Sequence, residues 1–289
     1  MSSTLLYPDT TIGWNGLRLQ VPAQWETIVT GTHHLIFEED FNPVFQIRWK
    51  KIGALNPLKW KEKSDQWWQQ LGVTSQEIQL PLGLTNLTDK FAQTRYYRGK
   101  QPMASGGLCY CSHCQTLFFF QQLNSKSGMW KKTSEVLSTL TCHGVPNTLW
   151  QIQDFSLTTP TTYTLTDYTF KTGLTRLSFE GGNYNMQICR LAQASHRLNS
   201  QSLENLLFTL VGTRQLKLQL SPDQLECTGT RSPSVTKQIL FRMKKEKPFV
   251  ETKIWEVPER DRILACVASS TRPISPDEVC LCYETLKII

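Results

Sequence analysis

Gly16-Leu17-Arg18-Leu19-Gln20-Val21-Pro22-Ala23-Gln24-Trp25-Glu26 decides how this chain is read. Leu17, Leu19 and Val21 alternate with polar residues, the period-2 pattern of a half-buried strand. Pro22 follows, and an aromatic comes at Trp25. The pattern returns at Phe155, Leu157, Thr159, Pro160 and Tyr163, each shifted by 138. Gly31, Phe37 and Glu38 return as Gly173, Phe179 and Glu180, shifted by 142, and Gln46 and Ile47 as Gln187 and Ile188, shifted by 141. Order is kept while the offset drifts, as small insertions would cause. Copies of about 140 residues are domains, since solenoid repeats run about 20–50. The expectation is an α+β protein of two tandem similar α/β/α domains, residues 1–146 and 147–289, each a mostly antiparallel sheet flanked by helices.

The elements between these markers follow one plan twice. In the first half Leu17–Val21, Leu35–Phe37 and Val44–Trp49 read as strands. Asn56-Pro57 opens a helix with stripe Trp60, Ser64, Trp67 and Leu71, ended by Gly72. Strands Phe91–Arg98, Gly107–Cys111 and Thr116–Leu123 precede a closing helix from Thr133 to Cys142. In the second half Phe155–Thr159, Leu174–Phe179 and Asn185–Leu191 lead to a helix from Ser200 to Val211, ended by Gly212. Lys237–Met243, Val250–Val257 and Arg262–Ser269 follow, and Ser275-Pro276-Asp277-Glu278 is a capping box that starts the last helix.

The Gly16–Glu26 run resembles the opening strand of the PsbP-like α/β/α fold, shared by the extrinsic P subunit of photosystem II and a Ran-binding nuclear-import factor. The shared pattern is an alternating strand, Val-Pro, then Trp after a two-residue gap. Phe155–Tyr163 is a degenerate second version. The resemblance implies a non-enzymatic scaffold that docks on larger protein assemblies.

Composition is that of a folded chain: of 289 residues, 39 % are hydrophobic and 19 % charged. The net charge of +7 divides evenly, 14 basic and 10 acidic residues in 1–146, then 17 and 14 in 147–289. No half is the basic one, and a mild excess spread over both is only weak evidence for a polyanion partner. Met1 to Trp14 shows no basic run followed by an apolar one, and no 18 apolar residues run together. Nine cysteines without an export signal point to reduced thiols in a cytoplasm.

The strongest chemical signal is Cys109-Tyr110-Cys111-Ser112-His113-Cys114. A Cys-x-x-Cys turn between strands can aim two thiolates at one Zn²⁺, and Cys142-His143 offers further ligands. The metal candidates are Cys109, Cys111, Cys114, Cys142 and His143. Two other readings stand beside zinc: a reduced hairpin whose cysteines pack as small hydrophobes, and a redox dithiol, which more often sits at a helix N-terminus. At an offset of 146, Cys109, Cys111 and Cys114 correspond to Trp255, Val257 and Arg260, so the hairpin is made once without cysteines.

Arg48-Trp49-Lys50-Lys51, Lys59-Trp60-Lys61-Glu62-Lys63 and Trp67-Trp68 interleave cations with aromatics, as single-stranded nucleic-acid binders do. Helical spacing places Trp60 and Trp67 in the core and the lysines in solvent. Arg242–Lys247 reads as a charged turn. His33-His34 are neighbours on a strand and face opposite ways. No phosphate-binding loop, dinucleotide fingerprint, Gly-x-Ser-x-Gly or His-Glu-x-x-His is present. The first functional expectation is therefore a non-catalytic adaptor, assembly factor or subunit of a larger protein complex. The alternatives are a zinc- or thiol-dependent enzyme using the Cys109–Cys114 hairpin, and a nucleic-acid-associated accessory protein.

Overall fold

The computed structural model describes residues 9–70, 75–79, 84–99, 105–123, 129–144, 146–234, 238, 241 and 247–289. It is an α+β protein, mostly antiparallel sheet with six helices among the described residues. The chain divides into two compact units, Met1–Val145 with Gln151–Gln153, and Pro146–Trp150 with Asp154–Ile289. Among the described residues no helix is long and apolar enough to cross a membrane.

In the first unit β1 (Asp9–Trp14) and β2 (Leu17–Pro22) form a hairpin. Its turn is Asn15-Gly16, both at positive φ, the backbone that a two-residue hairpin needs. Leu17, Leu19 and Val21 are buried and Arg18 and Gln20 exposed, as the alternation requires. The strands β3 (Glu26–Gly31), β4 (His34–Glu39), β5 (Asn42–Lys51), β6 (Ser75–Ile78), β7 (Gln93–Gly99), β8 (Ser105–Cys111) and β9 (Thr116–Gln122) make a seven-stranded antiparallel sheet in the order β3-β4-β5-β9-β8-β7-β6.

Helix α1 (Pro57–Gln70) starts where Asn56 Oδ1 accepts the Lys59 N–H at 2.8 Å. It buries Trp60, Ser64 and Trp68, with Trp67 half-buried, against Tyr97, Leu108, Tyr110, Leu117 and Phe119. Phe118 and Phe120 point to the other face, where Phe91, just past α2 (Asn86–Lys90), meets Phe118. Both faces of β9 are therefore covered, and every residue of it is buried. Helix α3 (Met129–Thr139) lies against β2 and buries Val136 and Leu137; Leu140, just beyond it, is buried too.

β10 (Asn147–Ile152) lies where the units divide. The second unit continues with β11 (Phe155–Pro160), β12 (Thr164–Lys171), β13 (Leu174–Gly181), β14 (Tyr184–Ala192), α4 (Ala194–Ser200), α5 (Leu203–Val211), β15 (Lys217–Leu220), β16 (Glu226–Arg231), β17 (Phe249–Val257), β18 (Arg262–Ser270), α6 (Pro276–Thr285) and β19 (Lys287–Ile288). Its sheet runs β12-β13-β14-β18-β17-β16-β15. The succession of strands is that of the first sheet. Leu203, Leu206 and Leu207 of α5 bury against Cys189, Cys227, Ile254, Ile263 and Ala265. Ser202 Oγ accepts the Asn205 N–H at 3.4 Å, and Gly212, at φ 74, ends the helix.

Several elements differ from the sequence reading. The cap of α5 is Ser202 rather than Ser200, because a separate helix, α4, ends at Ser200. Helix α3 begins at Met129, ahead of Thr133. No strand is seen in the described part of Lys237–Met243: Gln238 and Phe241 are helical, and the other five residues lie outside the described set. The strand in that place is β16, whose Glu-Cys-Thr-Gly-Thr-Arg has little apolar signature. Leu71, Gly72 and Arg242–Glu246 also lie outside the described residues, as do the capping side chains Asp277 and Glu278.

Candidate metal centre

Two chain segments deliver the site. Cys111 ends β8, pairs with Thr116 and closes the four-residue loop Ser112–Gln115, whose last residue takes φ 55. Cys142 and His143 follow α3. There Thr141 exchanges two backbone hydrogen bonds with Arg18 of β2, at 2.8 and 2.9 Å, which holds the segment extended. Gly144, at φ 88, then turns the chain away.

Cys111, Cys114, Cys142 and His143 converge, with one ligand atom from each lying within 4.8 Å of all the others. His143 Nδ1 is 3.4 Å from Cys111 Sγ and 3.3 Å from Cys142 Sγ. Cys114 Sγ is 3.5 Å from Cys142 Sγ. A disulfide would bring the sulfurs to about 2.0 Å, and all nine cysteines are free. Burial falls from Cys111, which is buried, through Cys114 and Cys142 to the exposed His143. The His113 ring stacks on His143, centroids 4.4 Å apart and planes 26° from parallel.

The electrostatics couple the sulfurs. Cys114 and Cys142 shift in opposite directions. The hydrogen bond with Cys142 holds the Cys114 thiol well below the ordinary value, helped by the Thr116 hydroxyl and backbone N–H. The same hydrogen bond, with burial, pushes Cys142 far up.

Cys109, the fifth sequence candidate, lies outside the group. Two residues along a strand span about 6.6 Å, so sharing a face with Cys111 does not bring Cys109 within ligand distance. It is fully buried in the sheet, and burial raises its thiol.

The remaining sequence signals resolve into packing. Trp49, Trp60 and Trp68 are all buried, so they offer no ring face to a base, while Lys59, Lys61 and Lys63 are exposed. His33 is exposed and meets Asn15 Nδ2, whereas His34 is half-buried beside Gln46 and Arg48. Partial desolvation by their neighbours lowers both imidazoles.

One charged cluster carries no motif. In the second unit Asp154 accepts hydrogen bonds from Arg262 Nε at 3.0 Å and from Arg190. Burial on its own would raise this carboxyl, but the two guanidiniums outweigh it and hold it below the usual carboxylate range. Arg262 pairs with Val257 across the loop Pro258–Asp261, whose last residue takes φ 52. This hairpin has the same four-residue form as Cys111–Thr116. Asp154, Arg190 and Arg262 are far apart in sequence, and only the fold brings them together.

No family model matches this chain, and no curated protein is detectably similar to it. Among solved structures, a crystal structure of a protein from Bacteroides thetaiotaomicron VPI-5482 is similar over 52 % of this chain and 55 % of its own length, at 14 % identity and a TM-score of 0.32. The chain thus spans about half of that protein, and so slight a likeness carries no argument about fold or function.

Proposed function

We propose that this protein is a non-catalytic docking protein of two PsbP-like units, related by internal duplication, that binds a larger protein assembly in the cytoplasm. The duplication is supported by the common strand order of the two sheets. It is also supported by the offset of 146 that relates the pairs Cys111–Thr116 and Val257–Arg262.

The docking reading rests on Phe41. Its side chain is 86 % exposed at the tip of the β4–β5 hairpin. Its backbone takes φ 60, next to Asp40 at φ 52. A left-handed conformation costs an L-residue about 1–2 kcal/mol, and an exposed ring gains nothing from burial in the free protein. The corresponding hairpin of the second unit turns through Gly182-Asn183, with the glycine at positive φ. A turn that elsewhere uses permissive residues here holds a strained aromatic in solvent, which suits an anchor that buries on a partner.

The test is affinity purification of the tagged full chain from its native host, side by side with Phe41→Gly. The expected result is a stable complex for the wild type that is lost in the variant, while the variant itself melts at a higher temperature. An unchanged set of partners for Phe41→Gly would overturn the reading. So would a wild type that recovers no partner and turns over a small molecule.

A further inference from the structure

We propose that Cys111, Cys114, Cys142 and His143 bind one Zn²⁺ in a closed, structural site that fastens the β8–β9 loop to the segment following α3. This does not depend on the docking reading, and either can fail without the other.

The spacing of the four ligand atoms suits a tetrahedral ion: three of the six edges are close to those of a zinc site, and the other three lie within 4.8 Å. With Zn–S near 2.3 Å and Zn–N near 2.0–2.1 Å, tetrahedral edges are about 3.8 Å between sulfurs and about 3.5 Å between sulfur and nitrogen. The distances found are 3.5 Å for Cys114–Cys142 and 3.4 and 3.3 Å for His143 to Cys111 and Cys142. Three thiolates and one imidazole form a soft donor set that selects zinc over magnesium, calcium or manganese. Four protein ligands leave no open position for water, so the ion is structural and not catalytic. The His143 ring stacks on His113 and turns Nδ1 to the sulfurs of Cys111 and Cys142.

The second unit shows what the position is for. At the offset of 146, Cys111 and Cys114 become Val257 and Arg260. With Arg18 shifted by 138 and Thr141 by 146, the bridge Arg18–Thr141 becomes the pair Ser156–Lys287, so at 146 Cys142 and His143 become Ile288 and Ile289. No thiol remains there, yet the same corner is tied. Asp154 holds Arg262 at the foot of the loop through its carboxylate, and its carbonyl accepts the Ile289 N–H at 2.9 Å. An ion cluster fastens loop to tail in one unit. In the other the four ligands stand at the corresponding places, and a metal would do the same work.

The experiment measures metal in the full-length, untagged protein purified without chelator under reducing conditions, by elemental analysis and by cobalt substitution. One zinc per chain is expected, with the thiolate-to-metal charge-transfer and intense ligand-field bands of tetrahedral cobalt. The double variant Cys114→Ser with Cys142→Ser is expected to lose the metal, and Cys280→Ser to keep it. His143→Cys guards against simple misfolding, since four thiolates also make a zinc site; it is expected to retain both metal and melting temperature. Chelation of the wild type is expected to lower its melting temperature by several degrees. Wild-type protein holding no more zinc than the double variant would overturn the proposal. Five- or six-coordinate cobalt, which requires water ligands, would overturn the closed site.

Discussion

The indole of Trp68 lies flat on the phenol of Tyr97, ring centroids 3.8 Å apart and planes 16° from parallel. Trp68 also tilts against Phe119, so a single side chain of α1 touches two strands of the first sheet. Trp68→Ala should destabilise the first unit by about 3–5 kcal/mol, as large aromatic truncations in cores do. Trp67→Ala, at a half-buried position, should cost clearly less. Urea titration followed by tryptophan fluorescence checks the order, and equal losses would contradict the packing described.

Asp154 gives a pH dependence of known sign. Its folded carboxyl is held below the unfolded value by Arg190 and Arg262, against the effect of burial. Such a group adds stability above its unfolded pKa of about 3.9, and that stability is lost as pH falls through the lower, folded value. Asp154→Asn should therefore destabilise the second unit by about 1–2 kcal/mol at neutral pH. The gap between variant and wild type should close as pH falls through the lowered, folded value. Denaturation curves at a series of pH values read this directly, and a gap independent of pH would contradict it.

Gly106 and Gly107 sit where two strands approach closely. A Cβ on Gly106 would lie 2.3 Å from the Phe120 carbonyl oxygen, and one on Gly107 would lie 2.5 Å from the Phe120 ring. Neither position has positive φ, so the restriction is space and not backbone conformation. Gly106→Ala should be the more damaging, because all its nearest contacts are backbone, whereas Gly107 meets the Phe120 ring first and the Arg95 carbonyl oxygen at 2.7 Å. Both should lower the thermal midpoint by several degrees, the shift that about 1–3 kcal/mol of overpacking produces. Differential scanning of the two variants tests the ranking.

Thiol reactivity should sort by burial. Cys109, Cys189, Cys227 and Cys266 are buried, and burial raises their thiols, so they should resist alkylation until the protein unfolds. Cys280, partly exposed on α6, should react in the native state. Timed alkylation with peptide mass mapping gives the order.

Much of this was legible where local chemistry and fold agree. Leu17, Leu19 and Val21 alternate and face inward, Asn56 caps α1, and Gly212 ends α5 in the left-handed region. The edge strands β3 and β12 carry a weak sequence signal. Glu26–Gly31 and Thr164–Lys171 mix polar and apolar residues without a strong stripe, and among the described residues each pairs with one neighbour. Asn15-Gly16 is a hairpin signal in its own right, both residues being at positive φ. Four ligands of the candidate centre could be named from spacing, but removing Cys109 needed the rise of a strand. The Asp154 cluster needed the sheet itself: on the paired strands β14 and β18, Arg262 faces Ala192, two residues along from Arg190, a proximity no short motif encodes.

The order β3-β4-β5-β9-β8-β7-β6 divides each sheet into two ribbons. One is wound from consecutive strands before the first long helix, the other from consecutive strands after it. Within a ribbon every pairing joins neighbours along the chain. One seam alone is long-range: Phe45 to Lys51 against Gln122 to Thr116 in the first sheet, and Tyr184 to Ala192 against Ser270 to Arg262 in the second. Closing a long loop is the slow event in assembling such a sheet. Each ribbon can form early, and the seam sets the pace. The bulky apolar stretch Leu117-Phe118-Phe119-Phe120, which lines the first seam, is then the segment left bare longest. That places the hazard of self-association during folding at the centre of the sheet and not at its rims.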